Sequence, residues 1–186
     1  MGMKARCVAA SATFAVALGM LASAPLAQPA GPIAAYAFDE GTSTVAGDTS
    51  GNLHAGTVTG ATWTSQGRFG NALAFDGIND SIAIGDAAGL DLTTRMTLEA
   101  WVYPTALGDW RTVILKERAS GLAYALYASD NASRSNSYVN AGGTDVDATA
   151  STAVPLNSWS HLAATYDGTM TRAACWARRE RPSSTR

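Results

Sequence analysis

Thr97-Leu98-Glu99-Ala100-Trp101-Val102-Tyr103-Pro104 is the stretch on which the fold turns. Met96, Leu98, Ala100 and Val102 are apolar, and Thr97, Glu99, Trp101 and Tyr103 fill the alternate positions. Alternation with a period of two sends side chains to opposite faces of a β-strand. The Met96 face is aliphatic and fits a sandwich core. The opposite face carries a charge and two amphipathic rings, and is expected to lie partly in water or under a loop. Pro104 has no N–H for a ladder and ends the strand.

Two further blocks read in the same way. One is Phe69-Gly70-Asn71-Ala72-Leu73-Ala74-Phe75-Asp76-Gly77, and the other runs from Leu156 through Trp159, His161, Leu162, Tyr166 and Asp167 to Gly168. In their order and spacing, the three blocks resemble the laminin-G-like jelly-roll family of the concanavalin A-like lectin/glucanase superfamily. The resemblance covers about residues 31–168. It implies an all-β fold, a two-sheet antiparallel jelly-roll sandwich. The fold alone does not fix a function, because it hosts many.

The chain has 186 residues, 47% of them apolar and 15% charged, enough for a leader and one domain with a real core. Residues 1–30 read as a secretory signal peptide and spacer. Lys4 and Arg6 precede a mostly apolar run of about 14 residues, which is short for a bilayer core of roughly 30 Å. Ala22-Ser23-Ala24 has the small-x-small form of a cleavage site, although Pro25 would shift cleavage toward Ala27 or Ala30. An uncleaved anchor is the alternative. With the leader removed the protein is secreted, and it meets a membrane only during targeting.

The formal charge of −2 hides an asymmetry: residues 31–168 hold 14 acidic side chains against six basic ones, a balance of −8. Such a body argues against nucleic acid as a partner. The cysteines, Cys7 and Cys175, lie outside it, so no disulfide staples it.

Strands are expected at residues 33–38, 58–63, 69–75, 82–84, 112–116, 123–128 and 159–166, with a short one at 137–140. Val113 and Leu115 should face inward in the 112–116 strand, and Asp76–Asp80 should close a hairpin. Residues 142–152 read as a loop or a poorly formed strand, and Asp167-Gly168 as a hairpin turn. Beyond it the alternation fails and the charge reverses: Arg172, Arg178, Arg179, Arg181 and Arg186 stand against Glu180. Residues 169–186 therefore read as a basic, disordered tail, produced by a frameshift or truncation or else serving as an electrostatic patch. On this reading the C-terminal strands are missing, and the open sheet edges invite aggregation.

Asp48-Thr49-Ser50-Gly51-Asn52 resembles the family's Asp-x-Ser-Gly-Asn turn. Asp and Ser side chains close local turns. Asp48 and Asn52 are also hard oxygen donors of the type Ca²⁺ takes, so calcium is the candidate cofactor, with further ligands required.

Catalysis finds little support. A glycosidase needs two placed carboxylates. The four Glu residues, Glu40, Glu99, Glu117 and Glu180, form no Glu-x-Asp-x-Glu strand. Glu99 is expected to pair with Lys116 or Arg118, and His161 to be a hydrogen-bonded strand residue. No Ser-His-Asp set, zinc site or phosphate loop is evident. Aromatic rings remain. Trp110, in a loop beside Asp109 and Arg111, is the one best placed for a ligand, with Tyr127 and Arg134 lining the same side. The reading is a secreted, non-catalytic module for carbohydrate. Adhesion to an extracellular protein is the alternative, and a non-functional fragment is a third.

Overall fold

The computed structural model describes residues 31–177. Residues 1–30 and 178–186, with the expected leader and half of the expected tail, lie outside the described residues.

The signature stretch forms a strand, Met96–Val102, in which Met96 and Leu98 are buried while Thr97, Glu99 and Trp101 are exposed. Its neighbour in the sheet is Ser160–Tyr166, paired antiparallel from Ser160 opposite Val102 to Tyr166 opposite Met96. In chain order the strands are β1 (Val45–Ala46), β2 (Gly56–Thr59), β3 (Thr62–Thr64), β4 (Ala72–Ala74), β5 (Ser81–Ile84), β6 (Met96–Val102), β7 (Arg111–Arg118), β8 (Gly121–Ser129), β9 (Arg134–Ala141), β10 (Thr144–Ala153), β11 (Ser160–Tyr166) and β12 (Thr171–Ala177). A short 3-10 turn, Ala88–Leu90, precedes β6. No α-helix occurs among the described residues, and no helix there is long and apolar enough to cross a membrane.

Two antiparallel sheets enclose the core. One has the order β10-β9-β8-β7, the other β12-β11-β6. Met96 and Leu98 of β6, Tyr124, Leu126 and Ala128 of β8, Val139 of β9, and Leu162, Ala164 and Tyr166 of β11 form one buried cluster. Burying such side chains is the main favourable term in folding. This is the expected all-β sandwich of the concanavalin A type. Smaller sheets, β1-β2-β5 and β3-β4, are built from the N-terminal part.

Several elements differ from the sequence reading. The tail expected from residue 169 instead begins with a strand. β12 pairs with β11 along its whole length, Tyr166 opposite Thr171 through Ser160 opposite Ala177. Its inward positions hold Thr171, Ala173 and Cys175, small groups that leave no visible hydrophobic alternation. The expected Asp167-Gly168 turn is present: Asp167 Oδ1 accepts from the N–H groups of Thr169 and Met170, both at 3.0 Å.

Residues 33–38 form no strand. The Ala35 N–H donates to Asp48 Oδ1 at 3.0 Å, and the Ala35 carbonyl accepts from the Thr49 N–H at 2.8 Å. The backbone there is satisfied by the 48–52 turn, and Phe38 adopts φ 58°. A turn at Gly60 (φ 79°) splits the run 58–63 into β2 and β3. The Asp76–Asp80 turn does form, but β4 pairs with β3 and β5 with β2. It passes the chain between sheets and closes no hairpin.

Leu115 does not face inward. A bulge at Val113 leaves Thr112 opposite Tyr127 and Ile114 opposite Leu126. One extra residue reverses the faces beyond it. Ile114 therefore joins the core, and Leu115 is 40% exposed.

The 142–152 stretch, read as loop or poor strand, is the long strand β10. Gly142 (φ 61°) and Gly143 (φ 87°) join it to β9 in a two-residue hairpin loop. Both positions need positive φ, which glycine supplies without strain.

Candidate functional site on the outer face of the four-stranded sheet

In β8 and β9, Leu126 and Ser137 stand opposite each other and face the core. The residues that alternate with them point to the other face. Tyr127 pairs with Asn136, Asp147 of β10 with Tyr138, and Asp145 with Asn140. This outer face holds a depression of about 360 Å³ lined by Trp110, Tyr127, Asn136, Tyr138, Asp145 and Asp147.

Trp110 is held from behind. Asp109, at φ 52°, offers its carbonyl to the hydroxyl of fully buried Ser129 at 2.9 Å. The indole meets the Tyr127 ring edge-on, with centroids 4.9 Å apart and planes at 74°. This geometry suits the ring quadrupoles. Trp110 remains 52% exposed. Its other side borders a second depression of about 310 Å³, formed with Phe75, Ile78, Asp80, Arg111 and Thr112.

The polar groups form an ordered set. Asn136 Nδ2 donates to Thr149 Oγ1 at 2.8 Å. The Tyr138 hydroxyl donates to Asp145 Oδ1 at 2.5 Å, and Asn140 Nδ2 donates to the same oxygen. Tyr138 first, then Asn140, hold the Asp145 carboxyl below the usual carboxylate range, with Arg118 adding to the effect. The bond to Asp145 in turn raises the Tyr138 phenol, and burial raises that of Tyr127. Rings and fixed hydrogen-bonding groups thus share one open concavity, a combination that suits a small polar ligand.

Of the residues singled out in the sequence, Trp110 and Tyr127 are brought together. Arg134 does not line the depression. Its guanidinium lies 3.4 Å from Asp130 Oδ2, and Asp130 Oδ1 accepts from the N–H groups of Ala132 and Arg134. Asp130 and Arg134 therefore build the β8–β9 turn. Asn136, Asp145 and Asp147 escaped the sequence reading, while Tyr138 was only one of several rings that could face a sugar. The signal that could have placed them is the Gly142-Gly143 pair, a two-residue hairpin turn joining two polar stretches.

Asp48 is committed as well. Its Oδ1 accepts from the N–H groups of Ala35 and Ser50, and its Oδ2 from the Ser50 hydroxyl and the His54 N–H, all within 3.0 Å. Removal from water would raise its pKa, but these four donors outweigh that and hold the carboxyl far below its ordinary value. Asn52 turns its amide NH₂ to the carbonyls of Pro32 and Ile33. A carboxylate whose lone pairs already face N–H and O–H donors does not fit a calcium ligand.

Glu99, expected beside Lys116 or Arg118, instead lies 3.5 Å from His161 Nε2. Lys116 pairs with Asp86 and Asp91.

A laminin G family model, described as concanavalin A-like lectin/glucanases superfamily, matches residues 76–174. The chain belongs to this superfamily. The matched segment holds the signature strand β6, the whole four-stranded sheet with its depression, β11 and the start of β12. It reaches past Gly168, where the sequence resemblance ended, and it takes in only the last two residues of the Phe69–Gly77 block. Membership in the concanavalin A-like superfamily points to a ligand-binding module. No curated protein and no solved structure matches the chain.

Proposed function

We propose that the protein is a secreted, non-catalytic carbohydrate-binding module whose ligand rests on Trp110 and Tyr127. The observation that carries this reading is the half-exposed Trp110 ring, braced against Tyr127 above a depression with Asn136, Tyr138, Asp145 and Asp147 on its walls. A sugar offers C–H groups to such rings and hydroxyls to such amides and carboxylates.

Glycoside hydrolysis requires one carboxyl kept protonated beside one kept ionised. Asp145 is held ionised by Tyr138 and Asn140, so it is no proton donor. We expect polysaccharides to bind without turnover.

A glycan array tests the reading. A binding signal abolished by Trp110→Ala supports it. Silence from a soluble, folded sample counts against it.

Protein adhesion is the second reading, favoured by the outer face of the other sheet. There Phe69 is 66% exposed and meets Trp101 edge-on at 5.7 Å, with Arg68 over both rings. It predicts protein partners whose capture free sugar does not block and Phe69→Ala does.

A further inference from the structure

We propose that the depression selects a positively charged saccharide, a sugar whose amine carries no acyl group, over neutral and acidic ones. This rests on the carbohydrate reading above and adds the charge of the ligand to it.

The lining contains three aromatic rings, one amide and two carboxylates, and no Lys, Arg or His. Asp145 Oδ1 accepts from both Tyr138 and Asn140, which fix that carboxylate in place. Asp147 is exposed and has no hydrogen-bond or ion-pair partner among the described residues. It stands opposite Tyr138 in the β9–β10 register, so its carboxylate borders the ring-lined wall. Ring faces attract cations, and a carboxylate accepts a charge-assisted bond from an ammonium group. A neutral hydroxyl gains only the weaker neutral bond. A sulfate or uronate meets two like charges, set in a body whose balance is −8 over residues 31–168.

Two cations lie nearby and neither reverses this. Arg118 is near enough to Asp145 to favour its ionised form, but it does not line the depression. Arg111 borders the second depression, where its guanidinium reaches the Gly77 carbonyl at 3.5 Å. Asp147, with neither oxygen engaged among the described residues, is the anchor, and Asp145 adds to the negative field.

The test is calorimetric titration of the protein with three oligosaccharides of equal length: glucosamine, N-acetylglucosamine and glucuronate oligomers. A pH of about 5 keeps the sugar amine protonated and still lies above the ordinary aspartate value of about 4. The glucosamine oligomer should bind about tenfold tighter than the acetylated one, and the glucuronate oligomer weakest. Asp147→Asn should remove most of that preference, and added salt should weaken it. Equal or tighter binding of neutral or acidic oligomers, still abolished by Trp110→Ala, would overturn the charge selection and leave the carbohydrate reading standing. No binding of any oligomer by a folded sample would overturn both.

Discussion

Trp110 is positioned by its neighbours rather than by burial. Ser129 fixes the carbonyl before it and Tyr127 braces its ring, while half of its surface stays open. Trp110→Ala should therefore cost the fold only about 1 kcal/mol, the size of an aromatic pair. It should cost ligand affinity about thirtyfold, as loss of an anchoring Trp does. Calorimetry and thermal melting of one variant check both. Asp48 behaves differently, because its four bonds serve the fold. Its folded pKa is depressed, so its contribution is present above the ordinary carboxylate range and is lost as pH falls through the folded value. Asp48→Asn should lower the melting temperature at pH 7, and the gap from the wild type should narrow below about pH 4. Millimolar Ca²⁺ should leave the wild-type melt unmoved. Asp48 as a turn former was legible from Asp-x-Ser-Gly-Asn. That its lone pairs were all taken was not, since Ala35 and His54 reach it through the fold.

At the scale of elements, legibility followed side-chain contrast. β6 and β11 alternate large apolar groups with polar ones, and both were visible in the sequence. Leu162 at the centre of β11 is 0% exposed, and Leu162→Ala should cost about 2–5 kcal/mol, read as a fall in the urea midpoint. β10 and β12 are different, as is β9 outside the short strand expected at 137–140. Their inward groups include Ser135, Ser137, Ala150 and Thr171, small or hydroxylated, while β9 and β10 carry the candidate site on their outward faces. Polar residues on both faces erase the period that marks a strand. The buried hydroxyls are satisfied in pairs: Ser135 donates to the Tyr127 carbonyl, and Ser137 bonds Thr171 across the two sheets at 2.9 Å. Thr171→Val would orphan Ser137 and should cost about 1–3 kcal/mol. Adding Ser137→Ala should recover part of that loss. A double-mutant cycle with no coupling would remove β12 from the place described above.

At the scale of the molecule, the sandwich presents two different outer faces. The four-stranded sheet offers rings among fixed polar groups, and the β12-β11-β6 sheet offers Trp101, on which Phe69 and Arg68 pack. The fold class was legible because three alternating blocks occur in one order. Which face binds was not, because Trp110 lies in a loop and its companions sit on strands β8, β9 and β10, joined only by sheet register. The most direct test is an NMR titration of the labelled protein with the glucosamine oligomer. Shifts should concentrate at the Trp110 indole N–H and at the amides of Tyr127, Asn136, Tyr138 and Asp147. Shifts confined to the Trp101 and Phe69 face, or none at all from a folded sample, would contradict the assignment of the four-stranded sheet as the binding face.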